Sequence, residues 1–140
     1  MKSVIVDTSI LFSILLWRSS KHRDVLFSET TEISFYCCRF AIIELFKHKE
    51  KLLKYSALPE PELLEVYYGL LKRVKFFEEE TIAGESIKQA HELCKNVDEK
   101  DTAFVALTLE LNGRLWTKDD ELKNGLKKKG FDKFFEIDSE

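Results

Sequence analysis

Several features that point to particular protein classes are scarce or absent in this sequence. Only two prolines and five glycines occur in 140 residues, which argues against long disordered segments and favours one domain over residues 1–140. The net charge is −3, so no overall basic field indicates a nucleic-acid partner. The apolar run Ile10 to Trp17 is too short to span a bilayer, and Asp7 interrupts the region of a signal peptide. We therefore expect no membrane partner.

Cysteine is also scarce, and its spacing is uninformative for metal binding. Cys37, Cys38 and Cys94 form no C-x-x-C motif. We interpret them as reduced thiols that pack as small apolar side chains. Free thiols are typical of reducing compartments, so the sequence predicts a cytoplasmic protein.

The apolar pattern alternates between strand-like and helix-like segments. Ser3 to Val6 is continuously apolar after its first residue and ends at Asp7, which is typical of a strand buried on both faces. Further strands are predicted over Glu32 to Cys38, Val74 to Phe77, Arg114 to Thr117 and Phe134 to Ile137. Helices are predicted between them, over Ile10 to Trp17, His22 to Ser28, Phe40 to Tyr55, from the break at Pro59 and Pro61 to Val74, and over Glu85 to Asn96, Ala103 to Leu111 and Asp120 to Lys129. This alternation predicts an α/β fold of three layers, with a central, mostly parallel sheet flanked by helices.

Acidic residues follow the ends of predicted elements. Asp7 comes directly after the first strand, and Asp119 lies two residues beyond Thr117. Parallel sheets place their sites beyond the carboxyl ends of the strands, where Asp101 and Glu44 could join from neighbouring helices. Carboxylates that converge there repel one another unless a hard cation lies among them, and carboxylate oxygens suit Mg²⁺ and Mn²⁺. The set therefore predicts a divalent-metal site.

Each acid also has a purely structural explanation. Asp7 could only cap the helix that follows it. Glu44 could pair with Lys47 or His48 on its own helix, and such pairs are weak. The remaining acids fit the first turn of a helix, where carboxylates are common: Asp98, Asp101, Asp119 and Asp120. Only the combination favours a metal site.

Four motifs in order carry a resemblance to a known family. VDTSIL, the acid in AIIELFKH, the run DEKDTAFVALTLELNG and the final LWTKDD together resemble the PIN-domain ribonucleases, especially the small prokaryotic VapC-type toxins. The likeness extends over essentially the whole chain. It implies a parallel sheet and three or four acids that bind one or two Mg²⁺ or Mn²⁺ ions.

The resemblance assigns roles to individual positions. It implies that the catalytic, metal-binding acids are Asp7, Glu44, Asp101 and Asp119, with Asp98 as an additional metal ligand. Hydroxyls that orient these ligands are expected at Thr8, Ser9 and Thr117. The family often has asparagine where this chain has Ser9, and serine keeps a small hydrogen-bonding group.

The implied activity is endonucleolytic hydrolysis of RNA. The resemblance further implies a homodimer and a small protein antitoxin as partners. The candidate contact surfaces are Ile10 to Trp17 and the helices around Tyr67, with burial in the chain's own core as an equal alternative. A non-catalytic RNA-binding or assembly module of the same fold is the alternative. A phosphatase of the haloacid-dehalogenase type is disfavoured, because its D-x-D motif would need an acid where Ser9 stands.

An acidic site needs nearby cations to bind RNA. We hypothesise that the RNA path is lined by Lys47, His48, Lys51, Lys123 and Lys127. These residues could equally be ordinary solvated side chains.

Overall fold

The computed structural model describes residues 2–29 and 32–137. Its sheet contains four strands: β1 (Lys2–Val6), β2 (Ile33–Cys38), β3 (Val74–Phe77) and β4 (Arg114–Trp116). Their spatial order is β3-β2-β1-β4, and every neighbouring pair is parallel. The prediction of an α/β fold with a parallel sheet is confirmed.

Eight α-helices connect and cover these strands in the described residues. They are α1 (Thr8–Leu16), α2 (Lys21–Leu26), α3 (Phe40–Lys47), α4 (Lys49–Tyr55), α5 (Glu60–Arg73), α6 (Gly84–Cys94), α7 (Thr102–Glu110) and α8 (Asp120–Lys128). Short 3-10 turns span Glu79–Thr81 and Glu99–Asp101. Within the same described ranges, no helix combines the length and apolarity needed to cross a membrane.

Strand β1 lies at the centre of the core. Val4, Ile5 and Val6 are each 0% exposed, although successive side chains of a strand point to opposite faces of the sheet. Both faces must therefore be covered by helices, as the continuous apolar pattern predicted. Helix α7 contacts β1, β2 and β4, whereas α1 contacts α2, α3, α4 and α5.

The single helix predicted over Phe40 to Tyr55 is in fact two helices. The break lies at His48, whose backbone dihedrals (φ −103°, ψ 16°) are not those of a regular helix. The His48 ring packs edge-on against Phe12 of α1 with centroids 5.7 Å apart. The change of direction brings α4 against α1, a tertiary contact that helical periodicity does not report.

The last strand, predicted over Phe134 to Ile137, is reduced to one parallel bridge between Phe134 and Leu115. Leu115 N–H donates to the Lys133 carbonyl (2.9 Å), and Phe135 N–H donates to the Leu115 carbonyl (2.8 Å).

The side chain of Arg23 ties helix α2 to the end of helix α1. The Arg23 guanidinium donates hydrogen bonds to the carbonyls of Ile14, Trp17 and Arg18. These carbonyls have no partner within a helix that ends at Leu16, so Arg23 satisfies them. The contact fixes α2, including His22, beside α1.

Close packing of β4 against β1 requires a glycine before β4. A Cβ atom on Gly113 would lie 2.5 Å from the Ser3 carbonyl oxygen and 2.7 Å from Ile5 Cδ1. Neither the backbone oxygen nor the buried isoleucine has room to move. Gly113 therefore sets the distance between the two strands whose ends carry the candidate site.

We predict that Gly113→Ala lowers the free energy of unfolding by about 1–3 kcal/mol, the usual cost of forcing an atom into a packed core. Gly84→Ala is the matched control, because a Cβ there meets no heavy atom within 4 Å. Chemical denaturation of both variants measures the difference. Equal stabilities would show that the two strands can separate without cost.

Candidate metal centre

The order of the strands reverses at β1. The chain moves from β1 to β2 and β3 on one side, then returns to place β4 on the other side. Sites in open parallel sheets lie at such a reversal, beyond the carboxyl ends of the strands. Asp7 N–H donates to the Trp116 carbonyl (3.1 Å), which holds the ends of β1 and β4 together. Asp7, Thr117 and Asp119 therefore emerge at the same edge.

Asp7 is a buried carboxylate, only 3% exposed. One of its oxygens accepts hydrogen bonds from Ser9 Oγ (2.6 Å) and from Ile10 N–H (3.3 Å). Burial raises the pKa of Asp7, and the hydrogen bonds from Ser9 and Thr117 oppose the rise. Asp7 thus caps α1, as its structural explanation proposed, while it stays at the reversal point of the sheet.

Three further aspartates converge at this edge. One carboxylate oxygen from each of Asp98, Asp101 and Asp119 lies within 4.8 Å of the others. Asp98 follows α6, Asp101 precedes α7, and Asp119 caps α8 by accepting from Leu122 N–H (3.0 Å). Asp120, by contrast, is exposed as the first residue of α8. We call Asp98, Asp101 and Asp119 the aspartate cluster.

The aspartate cluster is crowded with uncompensated charge. Burial raises the pKa of Asp101 to about 7, and the charges of Asp7, Asp98 and Asp119 add to the rise. Asp7 is therefore close enough to act on the cluster electrostatically. Among residues 2–29 and 32–137, no lysine or arginine forms an ion pair with any of these four carboxylates. Oxygen donors of this kind, without a protein counter-ion, fit a hard divalent cation such as Mg²⁺ or Mn²⁺.

Glu44 lies beside Asp7, outside the aspartate cluster. Its Oε1 accepts a hydrogen bond from Thr8 Oγ1 (3.1 Å), which links α3 to the start of α1. The buried Cys37 thiol reports the same proximity: burial raises its pKa most, and the charges of Asp7 and Glu44 contribute further. No ion pair of Glu44 with Lys47 forms in the part of the chain that the structure describes.

The predicted hydroxyls all lie among the acids. Ser9 Oγ, which donates to Asp7, also accepts from Lys118 N–H (3.0 Å) and lies 3.5 Å from Thr117 Oγ1. Thr117 Oγ1 in turn accepts from Asp119 N–H (3.1 Å). These bonds connect α1 with the segment after β4, so the hydroxyls fix the relative positions of Asp7 and Asp119.

The cations predicted to line an RNA path do not form one group. His48 and Lys51 line a mostly apolar groove of about 340 Å³, and Lys47 is exposed nearby. Lys123 pairs with Glu136 (3.2 Å), and the Lys127 ammonium lies over the Phe134 ring. Two further lysines that the sequence pattern did not single out, Lys21 and Lys118, line a cavity together with Thr117 and His22. For Lys118 the signal was available, because it stands between Thr117 and Asp119.

Comparisons with known proteins bear on the family and the fold. A family model described as a PIN domain matches residues 5–136. Among solved structures, the fold is similar to the crystal structure of PAE2754 from Pyrobaculum aerophilum, with a TM-score of 0.60 and 17% sequence identity. That match covers 90% of this chain and 81% of the other, and at this identity it shows the fold alone. No curated protein matches the chain.

The raised pKa of Asp101 predicts a pH-dependent stability in the absence of metal. The pKa of its carboxyl is about 7 in the folded state and about 3.9 in the unfolded chain, so ionisation destabilises the fold as the pH rises through that interval. Asp101→Asn should therefore raise the free energy of unfolding at pH 8, by on the order of 1–2 kcal/mol after allowance for partial exposure. Near pH 4 the gain should vanish.

Thermal or chemical unfolding with a chelator present measures this difference, and Asp120→Asn serves as the exposed control. If Asp101→Asn is no more stable than the original chain at pH 8, the carboxylates do not repel one another as described.

A second prediction concerns the packing that holds Asp98 next to Asp119. A Cβ atom on Gly125 of α8 would lie 2.5 Å from Val97 Cγ1, directly before Asp98. Gly125→Ala should displace Asp98 and weaken Mn²⁺ binding about 10-fold, a typical effect of disturbing the groups around a metal ligand. Calorimetric titration with Mn²⁺ measures the affinity. Combining Gly125→Ala with Val97→Ala restores the space and should recover binding; unchanged affinity of the single variant would contradict the account.

Proposed function

The chain belongs to the PIN-domain family, and from this membership we propose that it is a divalent-metal-dependent endoribonuclease. PIN domains are generally nucleases that use divalent metal ions, and the aspartate cluster is the observation that carries the proposal. Three carboxylates within 4.8 Å of one another, with Asp7 beside them, are costly to hold without a cation.

We propose that Asp98, Asp101 and Asp119 hold one Mg²⁺ or Mn²⁺ ion, with Asp7 beside it. Glu44 accepts a hydrogen bond from Thr8, next to Asp7 in sequence, and lies outside the aspartate cluster, so in the proposal it would be a ligand of a second ion. The chemistry that such ions supply when bound is polarisation of the scissile phosphodiester and a lowered pKa of a coordinated water.

Neighbouring side chains and backbone groups hold the proposed metal ligands in position. Ser9 and the Ile10 N–H hold the Asp7 carboxylate, and Thr8 holds Glu44. Thr117 fixes the backbone of Asp119. Asp101 titrates near pH 7, so its carboxyl is partly protonated in the free protein and releases that proton as a cation binds. Cation binding should therefore weaken as the pH falls below 7.

The proposal extends to a toxin role with a protein partner. Most of α1 is buried in the chain's own core, so the predicted contact surface over Ile10 to Trp17 shrinks to the exposed Trp17. The helices α3, α4 and α5 expose further large apolar side chains: Ile43, Phe46, Leu53, Tyr55, Leu64 and Tyr68. Such a patch supports a partner that covers it, either a second copy in a homodimer or a small antitoxin.

The alternative is a non-catalytic RNA-binding module. It would bind RNA without cleaving it, and the acids would then be dispensable. All four family acids are present, and two of them, Asp101 and Asp119, lie in the aspartate cluster together with Asp98, which favours the enzyme.

We predict that Asp7→Asn, Asp101→Asn and Asp119→Asn each reduce Mn²⁺-dependent cleavage of single-stranded RNA by about 100-fold or more, which exceeds the usual effect of losing a group that only orients a ligand. Asparagine preserves the size and the helix-capping ability of aspartate, so stability should change little in the two capping positions. Cleavage of a labelled oligoribonucleotide, followed by gel electrophoresis, measures the rate.

Asp120→Asn is the matched control, because this acid is adjacent in sequence but exposed. It should retain full activity. Equal cleavage by the original chain and by Asp7→Asn would identify a contaminating nuclease and refute the proposal. RNA binding without cleavage would favour the non-catalytic module.

A further inference from the structure

A second cavity is lined in part by residues 117–118, which directly precede Asp119 of the aspartate cluster. Its volume is about 290 Å³, and Thr117 and Lys118 form part of its lining. Side chains from α2, α8 and the segment after residue 134 complete it. The cavity therefore adjoins the candidate metal centre through the segment that carries Asp119.

The charge of this cavity is positive. Lys21, Lys118 and Lys123 line it together with His22, against one acid, Glu136. Lys123 pairs with Glu136 at 3.2 Å, which leaves Lys21 and Lys118 without a carboxylate partner among the described residues. Burial lowers the pKa of His22, and the nearby charges of Lys118 and Lys123 lower it further.

Lys118 is held in place by α1. Its backbone N–H donates to Ser9 Oγ (3.0 Å), and its ammonium donates to Ser13 Oγ (3.3 Å), one helical turn further along. Ser9 also donates to Asp7, so the same serine contacts the acidic site and the basic segment. The cation and the acids thus keep a fixed relative position.

The aromatic walls of the cavity offer little surface for a base. Trp116 is 2% exposed and packs against His22, Phe35 and Phe135, with centroids 5.3–5.7 Å apart. A nucleobase needs a free ring face to stack upon. A small anion needs only the cations at the rim, so the chemistry favours a phosphate group.

We propose that this cavity binds a backbone phosphate of the RNA strand whose scissile phosphodiester lies at the aspartate cluster. The inference rests on the proposed function for the identity of the strand. Lys118 is the principal contact, with Lys21 beside it, and Lys123 contributes less because Glu136 already neutralises it. The acidic centre repels RNA, and the adjacent cavity supplies the opposing attraction.

The test is the salt dependence of RNA binding without cleavage. Binding of a fluorescent single-stranded oligoribonucleotide is measured by anisotropy in a chelator, over a range of salt concentrations. Loss of one phosphate contact lowers the slope of log affinity against log salt by about 0.7, or about 5-fold in affinity at 0.1 M salt. We expect this change for Lys118→Gln and no change for Lys118→Arg.

Lys88→Gln is the control, because Lys88 is exposed on α6 and lies outside the cavity lining. An unchanged slope for Lys118→Gln, an equal change for Lys88→Gln, or no RNA binding by the original chain would each overturn the proposal. A titration with inorganic phosphate at constant ionic strength forms a second arm. If phosphate alone binds through Lys118 while the RNA slope stays unchanged, the cavity is a small-anion site and the RNA assignment is wrong.

These measurements test the cavity and the nuclease activity separately, because RNA binding is measured without cleavage. Lys118-dependent RNA binding by a chain that does not cleave RNA would refute the proposed nuclease activity and support the cavity. Cleavage that persists while the Lys118→Gln slope stays unchanged would support the nuclease and refute the cavity.

Discussion

Four aspartates meet where β1 and β4 end, and the fold holds them there against their mutual repulsion. Asp101 shows the cost, because burial and three neighbouring carboxylates raise its pKa to about 7. The partial compensation is local: Asp7 and Asp119 each cap a helix N-terminus, where backbone N–H groups and the helix dipole favour negative charge. No basic side chain of the described residues pairs with them. The packing of helices and strands, rather than ion pairing, therefore positions these acids.

Helix α1 connects the packed core to the edge of the sheet where the acids lie. Ile10, Leu11 and Ile14 are each 0% exposed, so the helix cannot rotate without disrupting the core. Its first turn then presents two hydroxyls in different directions. Thr8 contacts Glu44 on α3, and Ser9 contacts Asp7 and the segment after β4. A buried apolar stripe thereby fixes the directions in which the polar groups of the site point.

The sequence was sufficient for features that depend on local pattern. The continuous apolarity of Val4 to Val6 predicted a central buried strand, and the position of Asp7 directly after it predicted an acid at the edge of the sheet. Features that depend on tertiary contact were not predictable in this way. The helix break at His48 lies at a ring contact with Phe12, far away in sequence, and the final predicted strand pairs with β4 through one bridge, at Leu115. The basic cavity likewise joins α2 to α8, which no sequence spacing relates.

The arrangement of charge also explains why a net charge of −3 is a poor guide to partners for this chain. Lys118 of the basic cavity is adjacent in sequence to Asp119 of the aspartate cluster, and Ser9 contacts both Asp7 and Lys118. Charges of opposite sign that are this close cancel at long range, yet they remain distinct to a ligand that is in contact with both. A polyanion gains attraction only once it has docked next to Lys118. Recognition then depends on the fixed distance between the cavity and the acids, which is set by the packing of α1 against the carboxyl ends of β1 and β4.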